Sequence, residues 1–391
     1  MQHCDILIAG GGLAGLIAAA ALADQGFEVI LVDPGADGAD AGGDTRSTAY
    51  LRPAQALLDD IGLWDQLAPL ATPLAQLCII DTAGDPPRAV DSRTFQPEAE
   101  GPFGWNLPNA STRRTLCRAI TDLPNASLRF GTALRGFLAR DASVRATLDT
   151  GERVEARLLI GADGYASAVR KACGIEVATT RYGQKALAFD VTHDLAHSDI
   201  STEVYASGGA FTLVPLPDRD GRPASAVVWM EDGPRALDLA SLKDAAFSAA
   251  ATARSCGVLG ALRLDSARAV FPVVSQRATM LTARRVALIA EAAHVIPPIG
   301  AQGLNTSLKD VAALVDLAKS DPDALGSSAM LDRYERARMV DIRARMAAID
   351  AYNRICRSGA GWVRKVRVGG LRLVHDLVPV RRAVIRAGLG G

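Results

Sequence analysis

Net charge is absent from this chain: Lys plus Arg and Asp plus Glu each number 43 in 391 residues. No whole-molecule basic field for nucleic acid exists. Cysteine is sparse and scattered at Cys4, Cys78, Cys117, Cys173, Cys256 and Cys356, with no Cys-x-x-Cys pair and no His at ligand spacing. That excludes a disulfide scaffold or a structural zinc site, and a reducing cytosol is the expected compartment. No Ser-His-Asp or Cys-His constellation stands out, so nucleophilic catalysis has no support. No internal repeat and no low-complexity linker interrupts the chain. Residues 6–23 carry no charge, close to the roughly 20 that span a bilayer. Yet Asp5 precedes the run, no Lys or Arg flanks it, and Gly10, Gly11, Gly12 and Gly15 break it, so neither a spanning helix nor a signal peptide is expected.

What is present is an apolar majority, 49 % against 22 % charged, enough for a packed core in two or three domains. Residues 5–9 form a short apolar run of the kind buried on both faces of a parallel sheet. An Ala/Leu-rich helix over 13–25 follows, with Gly26 at its C-terminal end, then a second strand over 28–33. Residues 34–50, rich in Gly and Asp, read as a long loop. A helix is expected over 53–61, stopped by Gly62, and an apolar strand over 157–161. Between about 182 and 273, alternating stretches such as 210–215 and 224–230 around turn residues 217–223 predict antiparallel strands. A buried strand over 286–290 then leads to a helix with Leu304, Leu308, Val311, Val315 and Ala318 on one face. From 327 onward the pattern is helical, with Leu331, Ile342, Met346, Ile349 and Cys356 on one stripe. An α/β pattern interrupted and then resumed implies two domains interleaved in sequence.

Gly10-x-Gly12-x-x-Gly15 lies between a predicted strand and a helix, where a dinucleotide fingerprint must lie. Gly10 permits the tight turn, Gly12 lets backbone approach a pyrophosphate, and Gly15 lets helix and strand pack closely. The helix N-terminus supplies N–H donors and positive potential. Asp33, ending the second strand, is placed to accept hydrogen bonds from an adenosine ribose. The motif by itself leaves FAD and NAD both open.

Further segments follow in order: Asp44-x-Arg46-x-x-Ala49, then Gly161-Ala162-Asp163-Gly164 with Val169-Arg170, then Glu291-Ala292-Ala293-His294-x-x-x-Pro298-x-x-x-Gln302-Gly303-x-Asn305. Together with the glycines these resemble the class A flavoprotein aromatic hydroxylases, and within them the ubiquinone-biosynthesis ring hydroxylases, over residues 4–350. The resemblance implies an α/β fold: an FAD-binding Rossmann-like domain with an interleaved β-rich substrate domain and a helical C-terminus. It implies FAD-binding parts at 1–75, 101–180 and 274–326, substrate-domain parts at 76–100 and 181–273, and C-terminal helices at 327–391. Gly10, Gly12, Leu13, Ala14, Gly15 and Asp33 would hold the ADP half of FAD, and Arg46 would lie over the flavin side of the cleft. Asp163 and Gly164 would sit beside the cofactor, Glu291 at the ribityl chain, and Ala301, Leu304 and Asn305 around the ring. Pro298, Gln302 and Gly303 would stand at the reacting face. The implied activity is ring hydroxylation of a polyprenylated phenol by molecular oxygen through a flavin C4a-hydroperoxide, with electrons from NAD(P)H or a reductase partner. A quinone-biosynthesis complex and the inner-membrane surface are the implied surroundings.

The last motif makes independent physical sense. A helix starting near Gly303 aims free N–H groups at the negative charge of a reduced flavin, worth about 0.3–1 kcal/mol and up to ~2 when partly buried. Ile296, Pro297, Pro298 and Ile299 supply a dry wall. Departures from the family pattern stand beside it: Ala290-Glu291 for Gly-Asp, Ala301 for a Gly before Gln302, and Ser307 for a Gly. They keep a rival reading open, a weakly flavin-binding or non-catalytic scaffold, alongside a related flavoprotein reductase. A halogenase would show Trp-x-Trp-x-Ile-Pro, whereas the chain has Trp105-Asn106-Leu107-Pro108.

His294 reads as an anchor for the turn after its strand rather than a base, and His193 and His197 as surface residues. Tyr182, Tyr205 and Trp229 read as core aromatics before pocket residues. Residues 357–391 hold eight basic side chains against Asp376 alone, interleaved with apolar ones. Two readings stand for them: a segment lying on an anionic membrane, each basic residue contributing about 1 kcal/mol, or an ordinary solvated helix packed by its apolar side.

Overall fold

In the computed structural model the described residues are 1–35, 44–84, 87–97, 100–206 and 208–357. The basic segment after Arg357, and residues 36–43 of the Gly/Asp-rich stretch, lie outside them. The first sheet has its parallel core in the order Val286–Leu288, Arg153–Gly161, Gln2–Ala9, Val29–Asp33 and Ala126–Phe130. Ile6, Leu7 and Ile8 are fully buried, as a strand covered on both faces must be. The Leu13–Asp24 helix is buried from Ala14 through Ala23. Alanine suits it: the residue has the best helix propensity and lets neighbouring elements approach closely. That helix packs against the Asn109–Thr121 and Gln302–Ser320 helices. Its apolar run continues from the first strand only through a glycine turn, and no helix among the described residues is long and apolar enough to cross a membrane.

The second sheet is antiparallel over most of its width, with long strands Val177–Thr192, Ala269–Ala278, Arg222–Asp232, Gly209–Arg219 and Ile200–Ala206. Strands Gln76–Ala83 and Arg88–Phe95 join its far edge, the former pairing parallel with Ile200–Ala206. The hairpin of 209–232 turns at Asp220 and Gly221, both with positive φ, inside the stretch read as a turn. A small third sheet joins Ser47–Leu51, Gly104–Pro108 and Thr72–Leu74.

Some expectations need correction. The loop expected to run to residue 50 ends earlier, because residues 47–51 pair with Gly104–Pro108. The expected strand over 286–290 stops at Leu288, since Ala290 takes φ +54° and starts the short Ala290–Ala293 helix. His193 is buried, not superficial: its Nδ1 lies 2.8 Å from the Leu195 carbonyl and its Nε2 2.9 Å from Ser225 Oγ. His197 is half-buried, with Nε2 at 3.1 Å from the Leu216 carbonyl. Tyr182, Tyr205 and Trp229 are core aromatics.

The first turn shows why glycine is needed at two points. Gly10 has φ +114°, and a Cβ on Gly15 would lie 2.0 Å from the Gly10 carbonyl oxygen. Gly15→Ala is therefore expected to lower stability by about 1–3 kcal/mol, the usual cost of overpacking, read as a lower urea midpoint. An unchanged midpoint would contradict this packing.

Candidate functional site

A cavity of about 970 Å³ runs between the two large sheets. One end is the glycine turn. Gly12 caps the Leu13–Asp24 helix, and Leu13, Ala14 and Gly15 line the space beside it. First-turn N–H groups have no partner within a helix, so this end presents donors. A Cβ on Gly12 would meet nothing within 4 Å, leaving an open cradle above its backbone. Asp33 closes this end. Its carboxylate accepts from the Gly11 N–H (2.5 Å) and the Gly35 N–H (2.7 Å), which fixes it at the strand terminus.

Arg113, from the Asn109–Thr121 helix, was not marked by any spacing in the sequence. It lines the same cavity, stacks 5.0 Å over the Phe130 ring, and leaves its buried Nε without a hydrogen-bond partner. A buried guanidinium N–H with no acceptor is costly, and an anion in the cradle would supply one. Arg46 lines the cavity too, gripped in a fork by Asp44 at 2.7 and 2.9 Å. Burial would push the Asp44 carboxyl up, but the hydrogen bonds and charge of Arg46, helped by the Asn109 amide, hold it below the usual carboxylate range.

The other end is a loop. Ile296, Pro297, Pro298, Gly300, Ala301, Gln302, Gly303 and Leu304 line it, with Glu291 and Ser307 beside them. The first turn of the Gln302–Ser320 helix faces this end, so two helix N-termini serve one cavity. His294 follows the expectation of an anchor: its Nε2 lies 2.6 Å from Asp310 Oδ2, buried, while Arg338 Nε donates to Asp310 Oδ1 at 2.8 Å. Arg170 donates to the Ala292 and Tyr165 carbonyls, tying the 161–170 segment to this one. The facing wall belongs to the second sheet and is mainly apolar, with Ala188, Val214, Ala226, Val228 and Phe271, and with Ser201, Glu203 and Thr212 at one side.

Not every expected site residue reaches the cavity with its side chain. Asp163 is turned to its own chain, accepting from Ser167 Oγ and from the Val169 N–H at 3.0 Å, so it fixes the turn while neighbouring Gly164 lines the space. Asn305 is spent on the Ser47–Leu51 strand: it donates to the Ala49 carbonyl (2.8 Å) and accepts from the Leu51 N–H (2.9 Å). Its role is to hold backbone. The three departures have a physical reading as well. Ala290 and Ala301 have φ of +54° and +56°, the left-handed region that favours glycine. Ser307 donates to the Gly303 carbonyl at 3.0 Å, one turn back.

An open glycine cradle, an unsatisfied arginine, a strand-end carboxylate and a long cavity together fit a dinucleotide with a pyrophosphate. Comparison with known proteins agrees. The family described as FAD binding domain matches residues 3–348. A ubiquinone hydroxylase, UbiL, of Rhodospirillum rubrum is 34 % identical over 399 residues, covering 99 % of this chain and 89 % of that protein. The 3-demethoxyubiquinol 3-hydroxylase of Escherichia coli is 27 % identical, covering 100 % and 99 %. In fold, the chain is similar to p-nitrophenol 4-monooxygenase from Pseudomonas putida, with TM-score 0.82 at 19 % identity, covering 100 % of this chain and 99 % of that one.

The left-handed alanines generate a prediction. Left-handed backbone costs an L-residue about 1–2 kcal/mol, and glycine gives back about 0.5–1 kcal/mol in chain entropy. Ala290→Gly is expected to raise stability by about 0.5–1 kcal/mol, seen as a higher urea midpoint with unchanged slope. A lower midpoint would show that the alanine conformation is unstrained.

Proposed function

We propose that this chain, which belongs to the family of FAD-dependent aromatic hydroxylases, hydroxylates the ring of a polyprenylated phenol in ubiquinone biosynthesis. The observation that carries this reading is the single cavity that joins a dinucleotide cradle to an apolar sheet wall across the 296–303 loop. A flavin needs the cradle and the loop, and a greasy phenol needs the apolar sheet wall. The names of the curated relatives point the same way at 27–34 % identity.

In this reading the first turn at Gly12–Gly15 and Arg113 hold the pyrophosphate, Asp33 the ribose, and Glu291 the ribityl chain. Pro298, Gln302 and Gly303 stand at the ring, where the helix start stabilises negative charge. FAD, once bound and reduced by NAD(P)H or a partner reductase, supplies the oxygen-activating chemistry. The protein's own part is binding, orientation and exclusion of water. Ile296, Pro297 and Pro298 keep the ring side dry, with Ile299 of the expected wall turned into the core, and Ala188, Val214, Ala226, Val228 and Phe271 receive an apolar substrate. The second sheet is thus the substrate side, built from the strands Gln76–Ala83 and Arg88–Phe95 and from those between Val177 and Ala278.

Two measurements test the reading. Gly12→Val puts its Cβ in open space at φ −69°, so the stability cost should be that of a poorer helix cap, about 0.5–2 kcal/mol. FAD affinity should fall at least about tenfold, or roughly 1.4 kcal/mol, by flavin titration. Unchanged affinity would remove the pyrophosphate from this turn. For the reaction, FAD-loaded protein given a reductant, air and a short-tailed polyprenylphenol should form a product heavier by one oxygen atom, with the label of isotopic oxygen gas. Reductant consumption yielding only peroxide with each phenol of the pathway would contradict the hydroxylase.

A further inference from the structure

We propose that Arg345 is a positioning residue for the flavin ring: from behind the cavity wall it selects one orientation of the Gln302 amide, with the N–H end toward the 296–303 loop, and so favours the reduced cofactor. The inference rests on the placement of the ring at 298–303 given above.

Gln302 opens the Gln302–Ser320 helix, lines the cavity and is buried. Two left-handed residues precede it, Gly300 at φ +60° and Ala301 at φ +56°. Its side chain folds back over this turn, and Nε2 donates to the Gly300 carbonyl at 2.8 Å. The amide oxygen is taken by the Ser328–Arg357 helix, where Arg345 Nη1 donates to Oε1 at 2.5 Å. Arg345 itself stands off the cavity lining. Its place is set by Asp341, one turn earlier, which accepts from Arg345 Nη2 at 3.4 Å and from Arg338 Nη1 at 2.9 Å. Ile349 of the same helix packs in one apolar cluster with Ile296 and Ile299, so helix and loop also meet through their side chains.

An amide by itself has no preferred end. Its oxygen accepts, its nitrogen donates, and a half-turn exchanges them. Arginine carries N–H donors and no acceptor, so only the oxygen end can face Arg345. The Gly300 carbonyl, an acceptor only, takes the nitrogen end on the other side. The two demands agree. Arg345 makes the agreement firm, because a hydrogen bond with an ionised partner is about twice as strong as a neutral one.

The consequence concerns charge. Reduction of FAD adds two electrons and one proton and leaves one negative charge on the ring, with the electrons coming from NAD(P)H or a partner reductase. A wall that turns an amide N–H end to the loop, beside the N–H groups of a helix start, stabilises that charge. An amide oxygen in the same place would oppose it. Arg345 thus acts through Gln302 on the difference between the two states of the cofactor.

The test is the midpoint potential of bound FAD, measured by anaerobic, dye-coupled reduction of the loaded protein. Arg345→Gln keeps a polar side chain behind the wall but can offer an oxygen or an N–H, so it no longer selects one end of the amide. It should lose about three- to tenfold more affinity for reduced than for oxidised FAD, a fall of about 14–30 mV at about 30 mV per tenfold for two electrons. Arg345→Met should fall as far, and it decides the matter if Arg345→Gln does not fold. Arg345→Lys, which remains a donor only, should restore most of the difference. A merely structural Arg345 would lower the urea midpoint and the affinity for both flavin states together, leaving the potential at the wild-type value. That result, or an Arg345→Lys potential as low as that of Arg345→Gln, would overturn the proposal. Gln302→Ala should lower the potential too. An unchanged potential in Gln302→Ala would instead overturn the placement of the ring at 298–303, so the two failures are told apart.

Discussion

The wall of the cavity at 296–303 is an irregular loop, and the buried ion cluster around Asp310 is what gives it a fixed position. Asp310 is fully buried and meets His294 before the loop, Arg338 from the C-terminal helix, and the Ala290 N–H. A buried carboxylate is expensive unless paired and hydrogen-bonded on both oxygens, so the cluster specifies one arrangement of three segments. On the far side of the loop, Gln302 donates to the Gly300 carbonyl and accepts from Arg345 of the same C-terminal helix. Asn305 ties the next turn to the Ser47–Leu51 strand. A loop with its own few hydrogen bonds is thereby held from both ends, and the last described helix acts as its buttress.

That framework explains how the site tolerates its departures from the family pattern. Ala290 and Ala301 keep backbone conformations for which glycine is the easier residue, at a cost of about 1 kcal/mol each. The surrounding pairs over-determine the backbone, which is the condition under which strain persists. Ser307, where the resemblance leads to the expectation of a glycine, carries a hydroxyl that returns to the Gly303 carbonyl. The carboxylate of Glu291 remains on the cavity lining.

Much of this was legible in the chain itself, for identifiable reasons. The Gly10 and Gly15 roles follow from a strand–turn–helix whose atoms nearly touch, and such local sterics are written in local sequence. The antiparallel sheet was legible through period-two alternation on either side of 217–223. What escaped is what depends on distant strands meeting. Arg113 and Glu203 belong to no short motif and reach the cavity only because sheets and helices converge there. His193 looked superficial because it lies in a polar stretch, yet Ser225 on the adjacent strand and the Leu195 carbonyl give it buried partners. Asp163 and Asn305 belong to the right motifs, but their side chains hold backbone, a distinction that spacing cannot express.

The central claim is that one flavin spans the cavity from the Gly12 turn to the Gly303 helix start. The most direct measurement is a crystal structure of the protein soaked with FAD. The account predicts the adenosine ribose at Asp33, the pyrophosphate against Gly12 and Arg113, and the isoalloxazine ring against Pro298–Gly303. Flavin density anywhere else, or a ring that leaves the 298–303 wall bare in every crystal form, would contradict it.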